Sequence, residues 1–155
     1  MTDAFDWIAA THAGRIDAAR AAQAQGRRVV GCIGADVPEA PILAAGMVPL
    51  RLDADVFGPA PAAERFGAGG HPVLRSLVDR LLGGPCDFVD LLVIGTTPRN
   101  LSALATLVRE LQGRDAAFAR FDVHLHDVLH TQRDSSRRYG LARTQVVRDF
   151  GRYVR

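Results

Sequence analysis

The sequence predicts an α/β protein built on an open parallel β-sheet. Short apolar runs alternate along the chain with longer segments of helical periodicity, which is typical of repeated strand–helix units. Residues 28–52 form one complete strand–helix–strand unit, and a parallel pair of strands needs such a crossover. The run Phe88–Ile94 is apolar except for Asp90, as expected of a strand buried on both faces of a sheet.

The first 26 residues predict a helical segment. Residues 4–24 are rich in alanine, which favours a helix, and Gly26 ends the region. Gly14 is a possible break within the helix. The apolar positions that recur at helical spacing are Phe5, Ile8, Ile16 and Ala19.

Two strands joined by a short helix come next. We predict the first strand at Arg28–Ile33 and the second at Met47–Leu52. Between them, Pro38 and Glu39 open a short helix, which Gly46 closes.

The second half of the chain continues the alternation. Residues 53–70 are rich in Pro, Ala and Gly and predict a long connection, of a kind that is often functional. After it we predict an amphipathic helix, an apolar strand, a second amphipathic helix, a weakly alternating strand and a closing helix. Their ranges are His71–Leu82, Phe88–Ile94, Arg99–Leu111, Ala119–Leu125 and Arg133–Val154.

Together these elements predict a single domain, residues 1–155, with about four parallel strands flanked by helices in a Rossmann-like or flavodoxin-like three-layer arrangement. If strands two and three pair on opposite sides of strand one, the strand order switches between strands one and three. Ligands bind beyond the strand ends at such a point. The loops Gly34–Glu39 and Gly95–Asn100 would meet there. We therefore predict a ligand site made of Gly34, Ala35, Asp36, Glu39, Thr96, Thr97, Arg99 and Asn100.

Composition narrows the class of protein. No apolar run is long enough to span a bilayer, and the N-terminus lacks the apolar core of a secretory signal. All 19 basic residues are arginines spread along the chain, and a net charge of +2 is too small to indicate nucleic-acid binding. Cys32 and Cys86 do not make a disulfide framework, so we expect a cytoplasmic protein.

The segment GCIGADVPEAPILAAGMVPLRL resembles the N-terminal half of the D-component subunits of the 2-hydroxyacyl-CoA dehydratase and benzoyl-CoA reductase family. Members carry a Gly-aromatic-x-Cys stretch, Pro-Glu-Glu, a short helix, Ala-Ala-Gly and a Pro-Leu/Val-Arg strand. The segments HPVLRSLVDRLLGG and VDLLVIGTTPRNLSAL are weaker matches in the same order, so the resemblance covers a core of residues 27–155. The matching residues of the first segment are Gly31, Val37, Pro38, Glu39, Ala44, Ala45, Gly46, Pro49 and Arg51.

The resemblance implies a 4Fe–4S cluster that takes part in the reductive removal of a hydroxyl group from a CoA thioester. The family's first ligand position falls at His71 and the second at Pro98 or Thr97, and the third would belong to a further half outside this sequence. Iron–sulfur clusters need thiolates, usually four. Cys32 and Cys86 fall at neither ligand position, so we expect no cluster and no other cofactor.

Three polar features each allow two interpretations. Glu39 is either a first-turn acid favoured by the helix dipole or a pocket carboxylate and candidate catalytic group. The turn Gly95–Asn100 either caps the next helix with its hydroxyl groups or binds an anion through backbone N–H groups and Arg99. His71 precedes a proline at a helix start, where a surface or capping role is the simpler interpretation.

A histidine cluster is the one candidate metal site. Residues 124 and 126 share a face if they lie on a strand, and imidazole with carboxylate suits zinc or iron. The spacing matches no standard closed zinc motif, so we favour side chains that are hydrogen-bonded or solvated at a strand end. The candidate ligands are His124, His126, Asp127 and His130.

These observations leave three hypotheses for the function. The first is a degenerate, stand-alone D-component-like domain that lacks the cluster ligands and binds an acyl-CoA-like or other anionic small molecule, or a subunit of that family. The second is an active subunit of a dehydratase or reductase complex, and the third is a metal-dependent protein using His124, His126 and His130. Because apolar surface rarely stays bare, we expect a homodimer or a hetero-complex, with neither nucleic acid nor membrane as partner.

Overall fold

Among the residues that it describes, a computed structural model gives four strands and four helices with defined bounds. We number them in chain order as α1 (Ala4–Ala24), β1 (Val29–Ile33), α2 (Glu39–Ala44), β2 (Val48–Arg51), α3 (Pro72–Leu82), β3 (Leu91–Gly95), α4 (Asn100–Gln112) and β4 (Asp122–His126). The structure describes residues 3–59, 61, 64, 71–82, 85–97, 100–114, 116, 122–127, 137–139, 141, 142, 145, 146 and 149.

The four strands form one parallel sheet in the order β2–β1–β3–β4. Val29 pairs with Val48 on one side of β1, and Val30 pairs with Leu91 on the other. The predicted α/β class with an open parallel sheet and an N-terminal helix is therefore confirmed. The chain crosses from one side of β1 to the other between β2 and β3, so the switch in strand order lies between β1 and β3, as predicted.

Helices cover both faces of the sheet. On one face, alternate residues of the strands, such as Ile33 and Leu92, pack in a cluster with the buried sides of α1, α3 and α4. On the other face, Val30 and Cys32 pack with Ile42 of α2. β1 and β3 are fully buried along their whole length, which explains why they are apolar without alternation.

The edge strand β2 carries a proline at its centre. The N–H of Val48 donates to Arg28 O at 2.9 Å and the N–H of Leu52 donates to Cys32 O at 2.9 Å, so these positions point toward β1. Pro49 lies between them and faces the open edge, where its missing N–H removes no bond of the ladder. This residue blocks pairing of a further strand at that edge.

Several boundaries differ from the prediction. β3 begins at Leu91 rather than Phe88, because residues 85–88 form a turn, after which the N–H of Val89 donates to Cys86 O at 3.4 Å. The Asp90 carboxylate accepts the N–H of Val29 at 2.7 Å just before the strand. α1 is continuous through Gly14. β4 includes Asp122–His126, and residues 119–121 of the predicted strand lie outside the described residues. The predicted helix at 133–154 falls mostly outside the described residues. In the described part of the chain, no helix is both long and apolar enough to cross a membrane.

Candidate functional site

The predicted switch point is filled by the carboxylate of Asp36. The N–H of Thr96, directly after β3, donates to Asp36 Oδ2 at 3.0 Å. A Cβ atom placed on Gly95 would lie 1.8 Å from Asp36 Oδ1, so the carboxylate packs against bare glycine backbone. Oδ1 is buried and has no hydrogen-bond partner among the described residues. The chain itself therefore places a negative charge between the ends of β1 and β3.

The Thr96 side chain extends this network to the end of β4. Its Oγ1 donates to Asp127 Oδ1 at 3.0 Å, and the Tyr139 hydroxyl donates to Asp127 Oδ2 at 3.2 Å. The groups of Thr96 that were predicted to bind an anion or cap a helix are thus bonded to two carboxylates of the chain. Thr97 is exposed. Arg99 lies outside the described residues, and of Asn100 only its place as first residue of α4 is described.

The loop after β1 is tied to β2 by Arg51. Gly34 has φ of +101°, a conformation that favours glycine, and its carbonyl accepts from Arg51 Nη1 at 2.5 Å. Arg51 Nε donates to Glu39 Oε1 at 2.9 Å, and Nη2 donates to the same oxygen. Glu39 is therefore a first-turn acid of α2 with a guanidinium partner. The neighbouring Ala35 is exposed.

An apolar pocket lies beside the switch point, at the edge of the sheet where the strands end. Its volume is about 490 Å³. It lies on the face covered by α1, α3 and α4, because its lining comes from the ends of β1 and β2 and the first turns of α3 and α4. The lining residues are Ile33, Gly34, Leu52, Ala54, His71, Val73, Leu77 and Leu101.

His71 is the one ionisable side chain among these lining residues. It is exposed and its Nδ1 accepts the N–H of Val73 at 3.3 Å, so it caps the start of α3, as predicted. An imidazole that accepts at Nδ1 carries its proton on Nε2 when neutral, which makes Nε2 a donor. The ring thus places a polar group at the rim of an otherwise apolar pocket.

Glu39 and the apolar pocket are separate. Glu39 and Arg51 line a different groove, at the open edge of β2. Of the predicted ligand residues, the described lining of the pocket includes Gly34 but not Ala35, Asp36, Thr96 or Thr97. The pocket lies at the edge of the sheet where the sequence predicted a ligand site. The main lining residues, Leu52, Ala54 and Leu77, were missed because they have no polar signature.

The two histidines of β4 have buried side chains. His124 and His126 are buried, and their ring centroids are 6.4 Å apart. They share a face, as the strand prediction required. His130 lies outside the described residues. Within the described residues, no three His, Cys, Asp or Glu side chains are grouped so that they could hold a metal ion.

Both cysteines are buried thiols. Burial raises the pKa of Cys32 to about 12, against the opposing effect of the Arg51 charge. Burial also raises the pKa of Cys86, although Arg80 acts in the opposite direction. Both side chains therefore stay protonated at neutral pH and behave as small apolar groups of the core.

No model of a known protein family matches this chain, and no curated protein sequence matches it. The kinship with the 2-hydroxyacyl-CoA dehydratase family accordingly stays a prediction from the motifs.

Proposed function

We propose that this chain is a binding domain that takes the acyl part of a small anionic molecule, such as an acyl thioester, into the apolar pocket. The observation that carries the proposal is the position of the pocket. It opens at the carboxyl ends of β1 and β2, next to the switch in strand order, where open parallel sheets bind their ligands.

The lining suits an acyl group. A volume of about 490 Å³ falls in the range of small-molecule sites, and aliphatic side chains such as Leu52, Leu77 and Leu101 surround it. Transfer of each methylene group from water into such a pocket is worth about 0.8 kcal/mol. A short acyl chain of a few carbons would therefore bind by burial alone, without a charged partner inside the pocket.

Two features support an anionic or polar group at the rim. Val73 and Leu101 are the second residues of α3 and α4, so two helix N-termini begin at the pocket and favour negative charge there. His71 lies at the same rim. It also stands at the position where the resemblance places a cluster ligand. On this proposal an imidazole and two helix ends replace the metal cluster as the polar part of the site.

The proposed role is binding without reduction. The two thiols are buried and protonated, and neither lines the apolar pocket. The chain would then be a degenerate, stand-alone D-component-like domain that presents or stores an acyl group, alone or with a subunit of the same family. No chemical step is assigned to the carboxylate of Glu39, because its partner is Arg51.

Isothermal titration calorimetry with acyl-CoA thioesters of increasing chain length tests the proposal, because it measures the affinity for each of them. We expect affinity to rise with chain length and then stop when the pocket is full. Ala54→Phe should fill the pocket and weaken binding at least about tenfold, because the ligand loses buried area. Ala44→Phe is the matched control, since Ala44 is exposed on α2 and lines no part of this pocket.

Equal affinity in the two variants, or no binding of any chain length, would overturn the proposal. Iron and sulfide measured in protein purified without oxygen provide a second readout. A stoichiometric amount of both would show that a cluster is bound and would revive the reductive alternative.

A further inference from the structure

The first half of α1 presents large apolar side chains to solvent. Phe5 is 78% exposed, Trp7 65% and Ile8 55%. In the second half of the same helix, Ile16 and Ala19 pack against the sheet. Trp7 and Ile8 are consecutive, and large apolar side chains that are exposed together favour contact with a further surface.

A groove of about 500 Å³ runs beside the second half of α1. Its floor is made of small residues of the helix, Ala18, Ala19 and Ala22. Its opposite wall is the edge strand, with Val48, Pro49 and Leu50. Pro49 offers no N–H to a further strand, so a helix fits this groove better than a strand would.

Ile8 lies on the face of α1 that lines the groove, with Trp7 at its side, whereas Phe5 points toward another side of the helix. Positions 4, 8, 11, 15, 18 and 22 follow one another at spacings of four and three, which is the periodicity of a helix–helix seam. At one end of this face stands Ile8, with Trp7 beside it, and at the other end stand Ala18 and Ala22. The side chains near the start of this face, at Trp7 and Ile8, are larger than those near its end, at Ala18 and Ala22.

We propose that a second copy of this chain docks on this face, with the two α1 helices antiparallel and related by a two-fold axis. In that arrangement Ile8 of each copy lies level with Ala18 of the other, and Ala4 lies level with Ala22. Ile8 then meets the small Ala18 on each side of the two-fold axis, and the small residues Ala4 and Ala22 meet at the two ends of the pair. A surface that is complementary to itself in this way is what an isologous dimer requires. The proposal is independent of the acyl pocket.

Charge supports the same arrangement. The start of α1 carries Asp3 and Asp6, whereas Arg27 lines the far end of the groove and Arg28 follows it. Antiparallel pairing brings Asp3 at the start of one helix toward Arg27, which follows the end of the other helix. Arg15 lies near the two-fold axis, and its Nη2 is paired at 2.6 Å with Asp53 of its own chain. The two Arg15 side chains that approach each other at the axis are therefore each neutralised by a carboxylate. Antiparallel helix dipoles also attract.

Sedimentation velocity over a dilution series tests the proposal. One helix face per copy makes a small interface, so we expect a reversible dimer that dissociates in the micromolar range. Ile8→Glu should raise the dimer dissociation constant by at least about tenfold, because it places a charge in the apolar seam. Ile8 is exposed in the single chain, so its replacement leaves the fold intact.

Phe57→Ser is the matched control. Phe57 is 98% exposed and lies outside α1, so its loss removes exposed apolar surface without touching the seam. The dimer should persist in this variant. A chain that is monomeric at high micromolar concentration, or a dimer that Ile8→Glu leaves unchanged, would overturn the proposal.

Crosslinking tests the direction of the helices. Cys32 and Cys86 are buried, so cysteines introduced on α1 are the accessible ones. A chain with both Ile8→Cys and Ala18→Cys should form a covalent dimer with a short bismaleimide. Each single variant should not, because equivalent positions are displaced along the antiparallel pair by about 15 Å at 1.5 Å per residue. Dimers from the single variants would contradict the antiparallel arrangement.

Discussion

The carboxylate of Asp36 occupies the space that a side chain at Gly95 would need. The two residues lie after β1 and at the end of β3, and a Cβ atom on Gly95 would approach Asp36 Oδ1 to 1.8 Å. The same carboxylate accepts the N–H of Thr96 at 3.0 Å. Residue 95 must therefore be glycine because the Asp36 carboxylate, from the loop after β1, fills the space beside it. The backbone angles of residue 95 are not the reason.

Replacement of this glycine should destabilise the fold. In Gly95→Ala the Asp36 carboxylate must move and lose its bond to Thr96, and we expect a loss of about 1–3 kcal/mol in the free energy of unfolding, as in other overpacked sites. Urea denaturation measures this. Gly14→Ala is the control, because no heavy atom lies within 4 Å of a Cβ there, and alanine in a helix should stabilise by about 0.5–1 kcal/mol.

A double-mutant cycle separates this clash from a general effect of the methyl group. In the Asp36→Ala background the space above residue 95 is empty, so Gly95→Ala should cost much less there. If the two changes were simply additive, the contact between these residues would not be the cause.

Arg51 should hold the loop after β1 in place. Arg51→Ala removes the bonds to the Gly34 carbonyl and to Glu39, so amide hydrogen exchange at residues 35–37 should become faster. The loss of stability should be about 1 kcal/mol, since the pair is partly exposed. Arg51→Lys should restore little, because an ammonium group cannot reproduce the fork of contacts.

Arg75→Ala is a matched control for that experiment. Arg75 has 37% of its side chain exposed, against 38% for Arg51, and it pairs at 2.6 Å with the more exposed Glu64. It donates to that carboxylate and to no backbone carbonyl among the described contacts. An equal effect of both substitutions on exchange at residues 35–37 would contradict the role assigned to Arg51.

We expect the Asp90 carboxylate to stabilise the sheet through its bond to the N–H of Val29, the first residue of β1. Its Oδ2 accepts the N–H of Val29 at 2.7 Å, and Val29 is fully buried. Asp90→Ala leaves that N–H without its side-chain acceptor, which should lower stability by about 1–3 kcal/mol in thermal or urea unfolding. Asp90→Asn keeps an acceptor and should lose less.

The surface pair Arg20–Asp87 provides the comparison. Its atoms are 3.1 Å apart and both side chains are 51% exposed. Asp87→Ala should therefore change stability by less than about 1 kcal/mol, in line with exposed ion pairs. If Asp87→Ala matched Asp90→Ala, burial of the Val29 amide would not explain the effect.

Alkaline pH should destabilise the protein through its thiols. Burial raises the pKa of Cys32 from 9.0 to about 12. Above pH 9 the unfolded chain releases this proton while the folded chain keeps it, so stability falls as pH rises toward 12 and is unaffected below 9. The slope is at most about 1.4 kcal/mol per pH unit for one thiol. Cys86, whose pKa is also raised, acts in the same direction.

Urea unfolding of the parent and of Cys32→Ala, at about pH 8 and about pH 10.5, measures this linkage. The variant should lose less stability between the two pH values than the parent does. The chain has no lysine, and both proteins share every other group that ionises at alkaline pH. Equal losses would contradict the assignment to Cys32.

Periodicity and breakers were sufficient to predict the architecture. The apolar runs at β1 and β3 and the closing Gly46 located the strand–helix–strand unit, and the observed order of β2, β1 and β3 is the one that the switch-point argument took as its condition. The start of β3 and the course of α1 differed from the prediction. Residues 85–88 form a turn before β3, and Gly14 is carried through α1 without a break. The helix and strand propensities of the local sequence did not predict either feature.

The candidate site was predicted less completely than the fold. The sequence predicted a site between the ends of β1 and β3, and the structure brings Asp36 and Thr96 together there. It could not show that they bond to each other. The apolar pocket beside them depends on which faces of α3 and α4 turn toward the sheet end, and its lining residues look like any core residues in the sequence.

The parallel pairing of β1 has a consequence for how the chain folds. β1 meets β2 after one short helix, but it meets β3 only after α2, β2 and α3 have been added. Closing the longer segment costs more chain entropy, so the unit β1–α2–β2 should form first and docking of β3 should limit the rate. Val48→Ala should then slow refolding with little change in the unfolding rate, because its contacts already exist when β3 docks, whereas Leu92→Ala should change both rates. Until β3 docks, one buried edge of β1 stays open to other chains, and refolding yield should fall with protein concentration.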